Sequence, residues 1–193
     1  YEELYDGHKH GRDQFLYRMH LAAEGILKQS NDTNAIVRRD FRNPDEQFSY
    51  LAYPKGAWVL HMLRAQLGED LFRRCIKTFL ERFQYGTAVT ADLIAVIEEL
   101  TGRSYDQFFD QWVFHAHHPE LAVSYSWDER AKLAKVSVHQ TQKLSASVLL
   151  FHVPITLRFK GKFGALDREV TVKALAEDFF FPLPERPEIV RVD

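Results

Sequence analysis

The sequence predicts an α+β protein, with a helical part over 1–119 followed by a small antiparallel β-sandwich over 120–193. Three observations carry this reading. Before Pro119 the apolar residues recur at three- and four-residue intervals, the period of an amphipathic helix. After Pro119 they alternate every second residue, the period of a half-buried strand. Helical and strand patterns also do not alternate, so two segregated units are expected in place of a doubly wound sheet.

The helical patterns come in order. Tyr1 to Tyr5 reads as the end of a helix stopped by Gly7, and a start of this kind suggests that the chain belongs to something longer. Leu16, Met19, Ala23 and Leu27 mark a helix from about Arg12 to Gln29. A polar, extended stretch from Ser30 to Gln47 follows, with Asn43-Pro44 inside it. Pro54 suits the first turn of the next helix, where its missing N–H costs nothing. Gly56, Leu60, Leu63 and Leu67 would share one face of that helix, and Gly68 would stop it. Leu71, Phe72, Cys75, Ile76, Phe79 and Phe83 form another stripe. Thr90 is a good N-cap for a helix from Ala91 to Leu100, ended by Gly102. Ser104 to Gln107 reads as a capping box opening a last helix through Trp112.

Six or seven short strands follow. Leu121, Val123 and Tyr125 alternate with small or polar residues, as do Leu133, Val136 and Val138 with slips. Val148 to Phe159 is a longer strand pattern, Phe163 to Ala165 supplies a turn, and Val170–Lys173 and Ile189–Val192 complete the set.

Composition excludes several classes. The formal net charge is -2, which gives no electrostatic footprint for nucleic acid or an anionic membrane. No apolar run reaches the ~18 residues that a spanning helix needs. The N-terminal residues lack the apolar core of a signal peptide. One cysteine, Cys75, forms no internal disulfide and leaves the compartment unread.

Among the nine histidines no two are four residues apart, so no helix offers the paired imidazoles of His-Glu-x-x-His zinc sites. His115, His117 and His118 crowd the end of the last helix. They read either as polar junction residues or as a metal-binding group, and no carboxylate or thiol completes a recognised spacing. Cys75 lies on an apolar stripe and reads as a small buried hydrophobe, not a nucleophile. The adjacent pairs Asp45-Glu46 and Glu98-Glu99 point different ways on a helix and read as solvated faces. No nucleophile elbow, phosphate loop or dinucleotide fingerprint is present.

The segment Tyr50 to Trp58 is less bland. It sets Tyr53 at a helix mouth, just before Pro54-Lys55-Gly56. A phenol there stays protonated at neutral pH and can donate to a developing oxyanion. The competing reading is an aromatic at an interface.

This segment resembles one that marks the aminopeptidase N family of zinc peptidases. The likeness rests on Tyr53-Pro54-Lys55-Gly56-Ala57 and continues through Leu60, Leu63 and Leu67-Gly68-Glu69. Tyr85, Thr90 and Asp92-Leu93 match the next helix start. Ser104 to Trp112 resembles the Phe-Phe-x-x-Trp segment, and His118-Pro119-Glu120-Leu121 the exit into a β domain. Val136 to Gln142 resembles that domain's early strands. The resemblance covers Tyr53 to about Gln142 well and the rest loosely.

It implies a zinc-dependent aminopeptidase acting on peptide substrates. Zinc would be held by a His-Glu-x-x-His helix and a later Glu, all upstream of this chain, with no metal expected in the chain itself. Tyr53 would be the catalytic tyrosine that stabilises the tetrahedral oxyanion. Glu2 and Glu3 fall after the third ligand's position and are not assigned to zinc. The acidic residue that captures the substrate amine would also lie upstream. His117 departs from the pattern, standing where the family often has Gly. The expected function is therefore the part of an aminopeptidase that carries the tyrosine without the zinc site. Alone it would be inactive, and its exposed apolar face would favour self-association. The alternatives are a non-catalytic relative serving as an interaction scaffold, which has no need of a phenol at 53, and an independent metal-binding module built on His115, His117 and His118.

Overall fold

A computed structural model describes residues 2–28, 34–48 and 52–193. Tyr1, part of the polar stretch (29–33) and Tyr50 lie outside the described residues. The chain divides into two compact units, Tyr1–His117 and His118–Asp193. The first is helical and the second is built of strands, an α+β arrangement.

The helical unit begins with α1 (Glu2–His10) and α2 (Arg12–Lys28). Gly7 does not stop the first helix; the break falls at Gly11, whose φ is +93°. Gly7 serves a different purpose. A Cβ there would sit 2.9 Å from Cβ of Phe15, so its absence lets α1 and α2 approach closely. A short 3-10 turn, Pro44–Gln47, interrupts the polar stretch, with Oδ1 of Asn43 accepting from the Asp45 N–H.

Helix α3 runs from Pro54 to Leu67 and ends at Gly68. Its buried face is Lys55, Val59 and Leu63, while Leu60 is exposed. Of the face predicted through Gly56, Leu60, Leu63 and Leu67, Leu63 is buried and Leu67 packs against the core, while Leu60 turns outward because α3 meets its neighbours through the 55/59/63 row. Helix α4 (Glu69–Phe83) buries Phe72 and Cys75. Helix α5 (Thr90–Thr101) is capped one residue earlier than expected, at Val89, whose N–H donates to the Asp92 carboxylate at 2.8 Å.

The capping box at Ser104 does not form. Instead Ser104 Oγ accepts from the Asp106 N–H and donates to the Asp106 carboxylate. Helix α6 is only Asp106–Phe109 and continues as a π-helical turn, Asp110–Phe114. Val59, Leu63, Phe72, Cys75, Ile97, Phe108, Phe109 and Val113 form this unit's core.

In the second unit β1 (Leu121–Asp128), β2 (Leu133–Gln140) and β5 (Ala176–Pro182) form one antiparallel sheet in the order β1-β2-β5. The other sheet, β4-β3-β6, comprises β3 (Val153–Gly161), β4 (Gly164–Val172) and β6 (Ile189–Val192). One core joins the two: Ala134, Val136 and Val138 of β2 meet Ile155, Leu157 and Phe159 of β3, with Val172 and Leu183. The predicted run from Val148 is shortened at its start. Phe151 leaves the strand pattern because its N–H donates to Oε1 of Gln140 at 2.9 Å and its C=O accepts from Nε2 at 2.8 Å.

Candidate active site

Tyr53 precedes α3 as its N-cap, with φ -82° and ψ -63°. Its carbonyl accepts the first helical bond, from the Ala57 N–H at 2.9 Å. Pro54 at the first helical position fixes the next φ. The Tyr53 side chain is 68% exposed. The backbone is thus held while the side chain stands exposed.

Two residues on, Lys55 is 5% exposed. Successive helical residues turn by about 100°, so positions 53 and 55 face nearly opposite sides of α3. The lysine Nζ donates to the His117 carbonyl oxygen at 2.8 Å, and that bond bridges 62 residues of sequence within the helical unit. His117 has φ +73°, the left-handed region that favours glycine.

Sequence reasoning did not single out Lys55 as a buried donor. A signal was available: a cation in the first turn of a helix opposes the macrodipole, which favours anions there. A lysine in that place has its charge satisfied by something outside its own helix.

The opposite side of α3 faces α2. The Trp58 indole donates to the Met19 carbonyl at 3.0 Å, and the His61 ring lies edge-on to Phe15 and Trp58 at centroid distances of 5.2 and 5.7 Å. Burial, reinforced by Arg64, holds the His61 imidazole below its ordinary pKa, so it is neutral at pH 7. A cavity of about 260 Å³ opens here, lined mainly by apolar side chains such as Leu4, Phe15, Leu60 and Phe72. Its polar lining residues are Glu3, His61 and Arg64; Arg64 pairs with Glu69, and hydrogen bonds from Arg64 and Arg73 hold the Glu69 carboxyl down.

Cys75 is fully buried and burial pushes its thiol up, which removes it as a nucleophile. Nδ1 of His115 lies 2.9 Å from the Asp110 carbonyl oxygen and 3.3 Å from its carboxylate, so its ring is turned into its own helical turn. His117 ends the helical unit and His118 opens the other. Glu98 and Glu99 diverge: Glu98 accepts from the Tyr105 N–H, while Glu99 takes both guanidinium nitrogens of Arg82. A zincin ligand set does not fit this chain, since no pair of histidines has the required spacing and His61 stands as a lone imidazole between aromatic rings.

A helical unit with an exposed tyrosine at a proline-led helix mouth, followed along the chain by a two-sheet sandwich, defines the class of architecture. Comparison with known proteins gives the family. The peptidase family M1 domain matches residues 2–112, more than half of the chain, so this chain belongs to that family. The leucyl aminopeptidase of Saccharolobus solfataricus is 30% identical over 164 residues, spanning 81% of this chain and 20% of that protein. Aminopeptidase N of Lactococcus lactis subsp. lactis is 30% identical over 102 residues, spanning 51% of this chain and 12% of that protein. The solved structure of Legionella pneumophila aminopeptidase A in complex with aspartic acid aligns with a TM-score of 0.64 at 18% identity. It covers 86% of this chain and 19% of that one, a likeness of fold. The chain thus spans a fifth or less of the length of these relatives.

Proposed function

We infer that this chain is the tyrosine-bearing part of a zinc aminopeptidase that removes N-terminal residues from peptides. The observation that carries the reading is Tyr53: its backbone is fixed by the Ala57 bond and by Pro54, and its phenol is exposed at the mouth of α3. Family membership supports a peptidase hydrolase acting on peptide bonds.

On this reading zinc is held by residues outside this chain, and when bound it activates water and polarises the scissile carbonyl. What this chain supplies is a hydroxyl donor. Attack on the amide carbon moves negative charge onto the carbonyl oxygen, and the Tyr53 O–H donates to that oxygen as the charge develops. A donor already in place needs no reorganisation at that moment, so its stabilisation is larger in the transition state than in the bound substrate. On the same reading the chain alone is expected to be inactive, because the zinc that activates water is held by residues outside it.

Tyr53→Phe in the whole peptidase tests this. The expected result is a kcat lower by about 10²–10³ at unchanged zinc content. Wild-type turnover by that variant would remove Tyr53 from the mechanism. Zinc-dependent peptide hydrolysis by the isolated chain would overturn the division of labour.

A further inference from the structure

We propose that Lys55 is the positioning residue for Tyr53, acting by anchoring the first turn of α3 to the His117 carbonyl. The inference rests on the reading of Tyr53 as the oxyanion donor.

Two locally unfavourable features meet in one hydrogen bond. An ammonium group is buried in a helix's first turn, against the macrodipole and at a desolvation cost unless it is hydrogen-bonded. The carbonyl that accepts from it belongs to a non-glycine residue at φ +73°. Strained conformations of this kind persist only where the surroundings over-determine them, and they concentrate at functional sites. The other residues of the turn show what the tether accomplishes. Pro54 fixes φ, and the Ala57 N–H holds the Tyr53 carbonyl, so the turn moves as one body. Lys55 faces inward and Tyr53 faces outward on that body. Fixing the inward side therefore fixes the direction in which the phenol leaves the helix.

A loss of the tether tilts the turn without removing any group that touches substrate. A misplacement of about 1 Å at a catalytic donor costs on the order of 10²-fold in rate. The expected result is therefore selective: kcat falls and KM is little changed, because the turn matters when charge develops on the carbonyl oxygen.

The experiment is a double-mutant cycle in the whole peptidase, with initial rates on an aminoacyl p-nitroanilide and thermal melting as the check of folding. Lys55→Met should lower kcat by about 10–10²-fold. In the Tyr53→Phe background the same change should have almost no further effect, since a positioning residue has nothing left to position. Losses that multiply in the double variant would show that Lys55 does not act through Tyr53 and would overturn the proposal, as would an unchanged kcat in Lys55→Met. Should the Met variant fail to fold, Lys55→Arg keeps the charge and a donor but changes the reach, and the same cycle is read at smaller amplitude. Normal turnover by Tyr53→Phe alone is a different result, in a different variant, and would sink the tyrosine reading beneath the proposal.

Discussion

The helical unit and the β unit close their cores differently. Large apolar side chains left exposed on the helical unit include Leu16, Tyr17, Leu27, Leu60, Leu80 and Tyr85, whereas the β unit leaves fewer, such as Val123, Phe180 and Ile189. The cause lies in the two periods. An alternating strand has one inward face, and two such sheets cover each other. A helix stripe is buried only where another helix lies over it, and α2 has just one fully buried residue, Met19.

The β unit pairs its two buried glutamines internally. Gln140 is 2% exposed and its amide makes four hydrogen bonds. Nε2 donates to Phe151 and Ala174 carbonyls, and Oε1 accepts from Phe151 N–H and Gln142 Nε2. Gln142 in turn donates to the Leu149 carbonyl and accepts from the Glu120 N–H. In the helical unit the buried polar group at the site, Lys55, reaches out of its own helix. One unit uses buried polarity to fix a loop onto a sheet, and the other uses it to fix a helix mouth.

If that comparison holds, substitutions should divide into those that change chemistry and those that change only stability. The largest effect is Tyr53→Phe, with about 10²–10³ lost from kcat and no change in melting temperature. A parallel loss of stability would blur the distinction. Next, Leu63→Ala in the helical core should destabilise by about 2–5 kcal/mol, because Leu63 is completely buried and leaves a cavity; denaturant titration checks this.

Gln140→Leu should cost about 2–4 kcal/mol by removing the side-chain partner of both Phe151 backbone groups, with kcat untouched. A fall in kcat at permissive temperature would break the separation between units. Acidification should weaken the helical unit specifically through His61. Its folded pKa is depressed below the ordinary 6.5, so the folded state binds fewer protons than the unfolded state. The stability it contributes is present above pH 6.5 and is lost as pH falls through that value toward the folded pKa. Melting curves for His61→Gln should show a shallower acid slope than wild type.

The smallest effect is a gain. Tyr85 is fully exposed (104%) with φ +60°, so Tyr85→Gly relieves left-handed strain without losing packing and should stabilise by up to about 1 kcal/mol. A destabilised variant would mean that the tyrosine has a partner on this surface.

Much of the fold was legible in the residues. The shift from a three-to-four period to a two period at Pro119 reports the α+β division, since period is a property of neighbouring side chains and of which face they present. Pro54 and Gly68 bracket α3 because both act on local backbone angles. The Gly7 reading failed for the opposite reason: whether a glycine ends a helix or admits a neighbour depends on Phe15, eight residues away. The capping box at Ser104 failed because Asp106 captured the hydroxyl first. Strand β5 and the amides of Gln140 and Gln142 escaped notice, since their partners are set by pairing across the sheet and by a loop.

The same line divides the site. Tyr53 at a proline-led helix mouth was readable from the sequence, because the chemistry of a phenol and the start of a helix are both local. That Lys55 is buried and bonded to His117 was decided only by the tertiary structure. The sequence records a lysine two residues after a tyrosine, and only folding brings that ammonium within 2.8 Å of a carbonyl 62 residues away.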